Sequence, residues 1–174
     1  MGESPERGAA FVVQPDEGRS YWQPVPANGY AEVMVSRQGA AATAGGSGGF
    51  SSGIQVIAPG GHICEHRHGD ADEILFFFEG IGTALVNGEE HTVRPGTMVY
   101  AGRGNRHKII NDGAADLKMM WMLSPGGLED FFAAIGRPRT PGEAPPPPFA
   151  RPDDVADIEA RTVFAPLDDA PNRG

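Results

Sequence analysis

Five histidines, His62, His66, His68, His91 and His107, are the residues of this chain best suited to chemistry, and two of them form the triplet His66-Arg67-His68. On a strand, residues i and i+2 point to the same face, so these two imidazoles converge from one backbone segment. Glu73 follows after the short link Gly69 to Asp72, which can return its carboxylate toward the pair. His107 opens a later apolar run behind a Gly-rich turn. Three imidazoles and one carboxylate leave open positions on a five- or six-coordinate ion, where substrate, water or dioxygen would bind. A His-x-His pair alone is weak evidence of ligation, and a lone histidine is more often a surface or core residue. The context of these residues therefore decides.

Residues 53 to 123 alternate short apolar runs with turn signals, the pattern of an antiparallel sandwich or barrel. Strands are expected at 30–38, 54–58, 73–79, 83–86, 89–93, 97–101, 107–110 and 117–123. Glu73 to Glu79 is apolar on both faces and should be central. Asn87-Gly88 demands a tight hairpin, because both central residues of a type I′ turn need positive φ. Only one helix is convincing, at 128–135, where Leu128, Phe131, Phe132 and Ile135 form an apolar stripe and Glu129 and Asp130 occupy the first turn. Three regions are expected: an N-terminal arm at 1–29, in which Phe11 to Val13 is an edge strand or a loosely packed run; a barrel with its helix at 30–136; and a Pro-rich linker and tail at 137–174. Gly39 to Ser52 reads as a flexible loop and possible lid, having too little apolar surface to pack. In the tail, Val155 and Ile158 suggest a short helix and Thr162 to Phe164 a strand-like piece, together a clasp on the barrel or on a partner subunit.

The glycines supply the context. Gly60, five residues, His66-x-His68, four residues, Glu73, six residues and Gly80 form one array; Gly96, five residues, Gly102, one residue, Gly104, two residues, His107, three residues and Asn111 form a second. At roughly 5% usage per residue type, five fixed positions match by chance on the order of once in a million starts. The two arrays resemble the paired signature motifs of the cupin superfamily, with Gly102 standing where that family usually has proline. The resemblance implies an all-β fold, a cupin jelly roll or double-stranded β-helix barrel, with one divalent transition metal held by His66, His68, Glu73 and His107. Fe(II) is the first expectation, with Mn(II), Ni(II), Cu(II) and Zn(II) as alternatives. It further implies a metal-dependent enzyme resembling the quercetin dioxygenase-like cupins, acting with dioxygen on a small aromatic, enol or diketone substrate. Glu73 would be the catalytic residue, as a ligand able to leave and accept a proton. Two rivals are an oxygen-independent isomerase, cyclase or lyase and a non-catalytic ligand-binding cupin. A homodimer is expected because cupins commonly dimerise.

His62 and Cys64 share parity with the ligands but fall on no motif position, and a bulge near the Pro59-Gly60-Gly61 turn would break that parity. His91 reads as a solvated strand residue, and Arg103 or Arg106 as rim charges able to meet an anionic substrate. The aromatic and methionine residues (Phe76, Phe77, Phe78, Met98, Tyr100, Met119 to Met122) should divide between the core and an apolar cavity.

Composition sets the outer bounds. The chain has 174 residues, and 14 basic against 23 acidic side chains give a net charge of −9. Such a surface repels phosphate backbones, so nucleic acid is not an expected partner. The single cysteine, Cys64, excludes an internal disulfide and a Cys-rich zinc module. No apolar run reaches the roughly 18 residues a membrane span requires, and the first residues lack the pattern of a signal peptide. A cytoplasmic protein with no membrane partner is the resulting expectation.

Overall fold

The computed structural model describes residues 10–37 and 49–167. Eleven strands and two helices follow in order: β1 (Arg19–Trp22), β2 (Tyr30–Val35), β3 (Ser51–Ile57), β4 (His62–His66), β5 (Asp72–Glu79), β6 (Gly82–Val86), β7 (Glu89–Val93), β8 (Met98–Ala101), β9 (His107–Ile110), β10 (Leu117–Ser124), α1 (Leu128–Ile135), β11 (Arg137–Pro138) and α2 (Val155–Ala160). Two antiparallel sheets face each other, one in the order β11-β1-β2-β3-β10-β5-β8 and the other β4-β9-β6-β7. This is the expected all-β jelly roll, and no helix among the described residues is long and apolar enough to cross a membrane.

Strand parity decides which side chains enter the space between the sheets. On β5 and β10, Leu75, Phe77, Leu117, Met119, Trp121 and Leu123 are buried, while Ile74, Phe76, Met120 and Met122 are half-buried on the opposite face. Phe78, Met98 and Tyr100 are exposed. The expected division of aromatic and methionine residues thus resolves into an inner set and an outward apolar face. β5 lies inside its sheet, between β10 and β8, as its continuous apolar run requires. The turn at Asn87-Gly88 has φ of 51° and 85°, the left-handed pair that the hairpin needs.

Of the two readings left open for Phe11 to Val13, the loosely packed one holds, with Val12 78% exposed. Three sequence expectations need correction. β1 comes from the Tyr21-Trp22 segment, which pairs with both β2 and β11. Residues read as an arm therefore contribute a sheet strand. The 30–38 strand ends at Val35. The flexible loop assigned to Gly39 to Ser52 is wrong at its end, since Ser51 and Ser52 begin β3; its residues 39–48, with any lid they would form, lie outside the described residues. Gly53, in β3, serves close packing: a Cβ added there would sit 1.9 Å from the Glu32 carbonyl oxygen and 2.9 Å from the Trp121 ring. The Pro-rich linker is extended as expected but anchored, with Val25 N donating to the Phe149 carbonyl at 2.9 Å.

α1 begins where expected and lays Leu128, Phe131, Phe132 and Ile135 onto the core, with the Phe132 ring 5.4 Å from that of Trp121. Glu129, buried in its first turn, accepts hydrogen bonds from the backbone N–H groups of Gly127 (2.8 Å) and Arg37 (3.0 Å). Burial alone would raise its pKa, but these bonds and one from Ser51 outweigh it and hold the carboxyl below its usual range. The helix start is thereby tied to the end of β2.

Candidate metal centre

His66 ends β4 and lies opposite His107, the first residue of β9, across the antiparallel ladder. Glu73 is the second residue of β5, paired with Ala101 on one side and Leu123 on the other. His68 lies just beyond β4 and makes an isolated bridge with Phe164. The ladder between β4 and β9 slips between Ile63 and His66, so one extra residue on β4 restores His66 to the buried face. That bulge brings Ile63, not His62, opposite inward-facing Ile109, and it separates His62 and Cys64 from the parity of the ligands.

One ligand atom from each of His66, His68, Glu73 and His107 falls within 4.8 Å of the others. The expected set is therefore brought together; His62 and Cys64 line the adjacent cavity, and His91 is half exposed on β7. Arg103 and Arg106 lie near Asp72 (3.8 Å) and Glu65 (4.0 Å), and Arg106 also donates to the Leu167 carbonyl at 2.6 Å. Both rim arginines thus have acidic neighbours of their own.

Each imidazole is oriented through its Nδ1 by a main-chain carbonyl: Cys64 for His66 (2.9 Å), Val163 for His68 (3.1 Å) and Asn105 for His107 (3.2 Å). Donation of Nδ1–H to a carbonyl leaves Nε2 as the lone-pair nitrogen, the arrangement of metal-ligating histidines. His107 Nε2 is 2.7 Å from Glu73 Oε2, whereas His68 Nε2 stands 3.5 Å from the same oxygen, beyond a good hydrogen bond. His68 Nε2 is buried with no hydrogen-bond partner. An unpaired nitrogen in so dry a place costs about 1–3 kcal/mol, and a divalent cation held by His66, His68, Glu73 and His107 would satisfy it. The donor set, imidazole nitrogens with one carboxylate, suits a transition ion.

The electrostatics agree. Burial, with neighbouring His107 adding to it, lowers His66 to about 3, so its ring is neutral at physiological pH. Burial would raise Glu73, but the hydrogen bond from His107 and the closeness of the His68 ring prevail and hold its carboxyl well below the usual carboxylate range. For His107 burial acts downward, yet the hydrogen bond and charge of Glu73 win and raise its pKa. Without metal, each member of the pair thus favours the charged form of the other, the carboxylate the protonated ring and the ring the ionised carboxylate.

Two of the four, His66 and Glu73, line a cavity of about 460 Å³. Leu75, Ile109, Leu128, Phe131, Phe132 and Phe164 form its apolar walls, and Gln23 and Gln55 are polar groups in its lining. Gln55 Nε2 donates to Gln23 Oε1 at 2.6 Å, and Gln23 Nε2 to the Val56 carbonyl at 3.1 Å. Sequence reasoning missed this amide pair and Phe164. Gln55 lies in the strand expected at 54–58 and follows inward-facing Gly53 by two residues, a parity signal that would have found it. Nothing local marks Phe164, whose ring centroid stands 5.2 Å from that of His66 and 5.3 Å from that of His68.

A family model described as "Cupin domain" matches residues 53–123. A tetracenomycin polyketide synthase protein of Streptomyces glaucescens is 31% identical over 104 residues, 60% of this chain and 69% of that protein. A protein named polyketide synthase CurC, from Streptomyces cyaneus, is 30% identical over 83 residues, 48% of this chain and 53% of its own length. Among solved structures, a predicted oxalate decarboxylase from Thermotoga maritima superposes with a TM-score of 0.54 at 20% identity, over 66% of this chain and 99% of that one, which speaks to the fold alone. With two sheets in jelly-roll order, both glycine arrays in place and the match spanning the four clustered side chains, the chain belongs to the cupin family.

Proposed function

We propose that this protein is a metal-dependent cupin enzyme that binds a polyketide-derived aromatic or poly-β-keto substrate and promotes its enolisation and ring closure without consuming dioxygen. The observation that carries this reading is that the His66, His68, Glu73 and His107 cluster opens, through His66 and Glu73, onto a mainly apolar cavity with an amide pair in its lining. Names of the similar Streptomyces proteins support the polyketide class. Neither name points to oxygen chemistry, so dioxygenase action, the first expectation from sequence, becomes the rival outcome of the test.

A divalent metal held by these four residues would supply Lewis acidity to a substrate carbonyl. Glu73, ionised and facing the cavity, accepts the proton lost from the carbon between two carbonyls. The enolate carbon then forms a carbon–carbon bond to a second carbonyl of the same chain and the proton returns to the resulting alkoxide; loss of the second hydrogen of that carbon together with the hydroxyl, as water, leaves a carbon–carbon double bond in the new ring. The apolar walls exclude bulk water and keep the chain folded on itself. Four residues, or roughly 13 Å of strand, separate the rung of Glu73 from that of Gln55, counted through their partners Leu123 and Met119 on β10. The Gln55 amide is thereby placed to hydrogen-bond a distal phenol or ketone.

The test reconstitutes metal-free protein with Zn(II), Ni(II), Mn(II), Fe(II) or Cu(II) and supplies a tri-β-keto thioester under argon and under air. Cyclised product, followed by mass spectrometry, should form equally in both, with no oxygen uptake. Product that appears only in air, one dioxygen per turnover, would establish the dioxygenase instead; no turnover with any metal would reject both.

A further inference from the structure

We infer that the C-terminal segment 161–167, outside the matched family region, completes the metal centre by positioning His68; this rests on reading the four-residue cluster as a metal site. Among the four ligands His68 alone lies outside the named strands, since β4 ends at His66. The barrel proper holds its backbone by one bond, from Gly104 N to the His68 carbonyl at 2.8 Å. The tail supplies the rest. Phe164 bridges His68 in antiparallel register, and Ala165 N donates to the Arg67 carbonyl at 2.9 Å. The Val163 carbonyl accepts the Nδ1 hydrogen of His68, and the Phe164 ring packs against both His66 and His68.

The segment is itself held in place. Phe131 of α1 meets the Phe164 ring at 4.5 Å, α2 buries Ile158 against the core, and Arg151 is bonded to Glu159. The tail thus carries the second-layer oxygen of one ligand and a wall over two. Loss of such an outer partner typically weakens metal binding 10- to 100-fold, because the ring is no longer fixed in tautomer or direction. Val163 and Phe164 are positioning residues here.

The test measures Co(II) affinity by chelator competition, and coordination by the visible Co(II) spectrum, in the full chain and in Ala165→Pro, which removes the N–H that docks the tail. A chain ending at Ala160 provides a second variant. Both should bind Co(II) 10- to 100-fold more weakly with an altered spectrum. Either tail change added to His68→Ala should cost less than a further twofold, because its effect passes through that ring. Should the shortened chain fail to fold, Ala165→Pro carries the same comparison. Tail variants that bind Co(II) within twofold of the parent, or losses that add fully to His68→Ala, overturn the inference while leaving the metal site intact. A parent chain that takes up no Co(II) overturns the metal reading and this inference together.

Discussion

Replacing Glu73 with glutamine tests the charge logic of the cluster apart from any reaction. Glu73 and His107 are 3% and 1% exposed and 2.7 Å apart, and in the metal-free protein they form a buried ion pair. Removing one member of such a pair costs about 3–5 kcal/mol; the lower figure applies because glutamine keeps the shape and can still hydrogen-bond an imidazole. In a chain of 174 residues, each kcal/mol moves Tm by about 2–4 °C, so the deficit should be about 6–12 °C. Its pH dependence follows from the two shifts. Glu73 is depressed, so its contribution is present above the ordinary carboxylate value of about 4.3 and is lost as pH falls through the folded value. His107 is raised, so its contribution is complete below about 6.5 and is lost as pH rises through the folded value. Melting of chelator-treated protein should therefore show the full deficit of Glu73→Gln near pH 6 and a shrinking one as pH rises through the folded value of His107, where the wild type comes to hold a buried carboxylate without its cation. A deficit that stays constant as pH rises, or none at pH 6, would refute this account.

Alanine at His66 or His107 should abolish stoichiometric metal uptake, measured by elemental analysis, and His68→Ala should weaken it to a residual, still measurable affinity, while circular dichroism shows an intact barrel; the core cluster around Trp121 and Phe77 contains none of these residues. Metal affinity should fall as pH drops, since binding must expel the proton that Glu73 stabilises on His107, and the fall should begin above the pKa of a free imidazole. His66, neutral down to about 3, should release no proton in that range, which calorimetry in buffers of different ionisation enthalpy can count. Asn111→Leu should cost about 3 kcal/mol of stability in denaturant titrations yet leave metal affinity within twofold, because the buried side chain bonds the backbone of Ile57 (2.7 Å), Ala115 (2.9 Å) and Gly113 (3.1 Å) and touches no ligand. Gln55→Leu should weaken binding of a hydroxylated naphthalene about tenfold relative to naphthalene itself, read by fluorescence titration.

What was legible in the sequence was what alternation and turn chemistry dictate locally. The Asn87-Gly88 hairpin, the 128–135 helix and the inward ligands depend on residues within a few positions of one another, so one strand's periodicity is enough. Gly53 shows the limit: it looks like part of a flexible run, yet it is small because a neighbouring carbonyl and an indole, from residues 32 and 121, press on it. β1 was hidden for a similar reason, since its pairing with β2 and β11 satisfies a segment whose prolines suggest an arm. Phe164 was least accessible of all. Its partners lie about a hundred residues away, and no short-range pattern encodes that contact.

The three carbonyls that orient the histidine rings belong to the main chain of Cys64, Asn105 and Val163. A side-chain carboxylate in this role would be lost in a single base change, whereas a peptide oxygen survives any substitution that preserves the backbone. The tuning of the centre is thereby separated from the identity of the residues around it. Replacement of Cys64 or Val163, or of cavity residues such as Leu75, Ile109 and Gln55, can reshape what the chamber accepts without dismantling its ligand frame. The same architecture gives this barrel room to change substrate by point mutation while its metal chemistry stays constant.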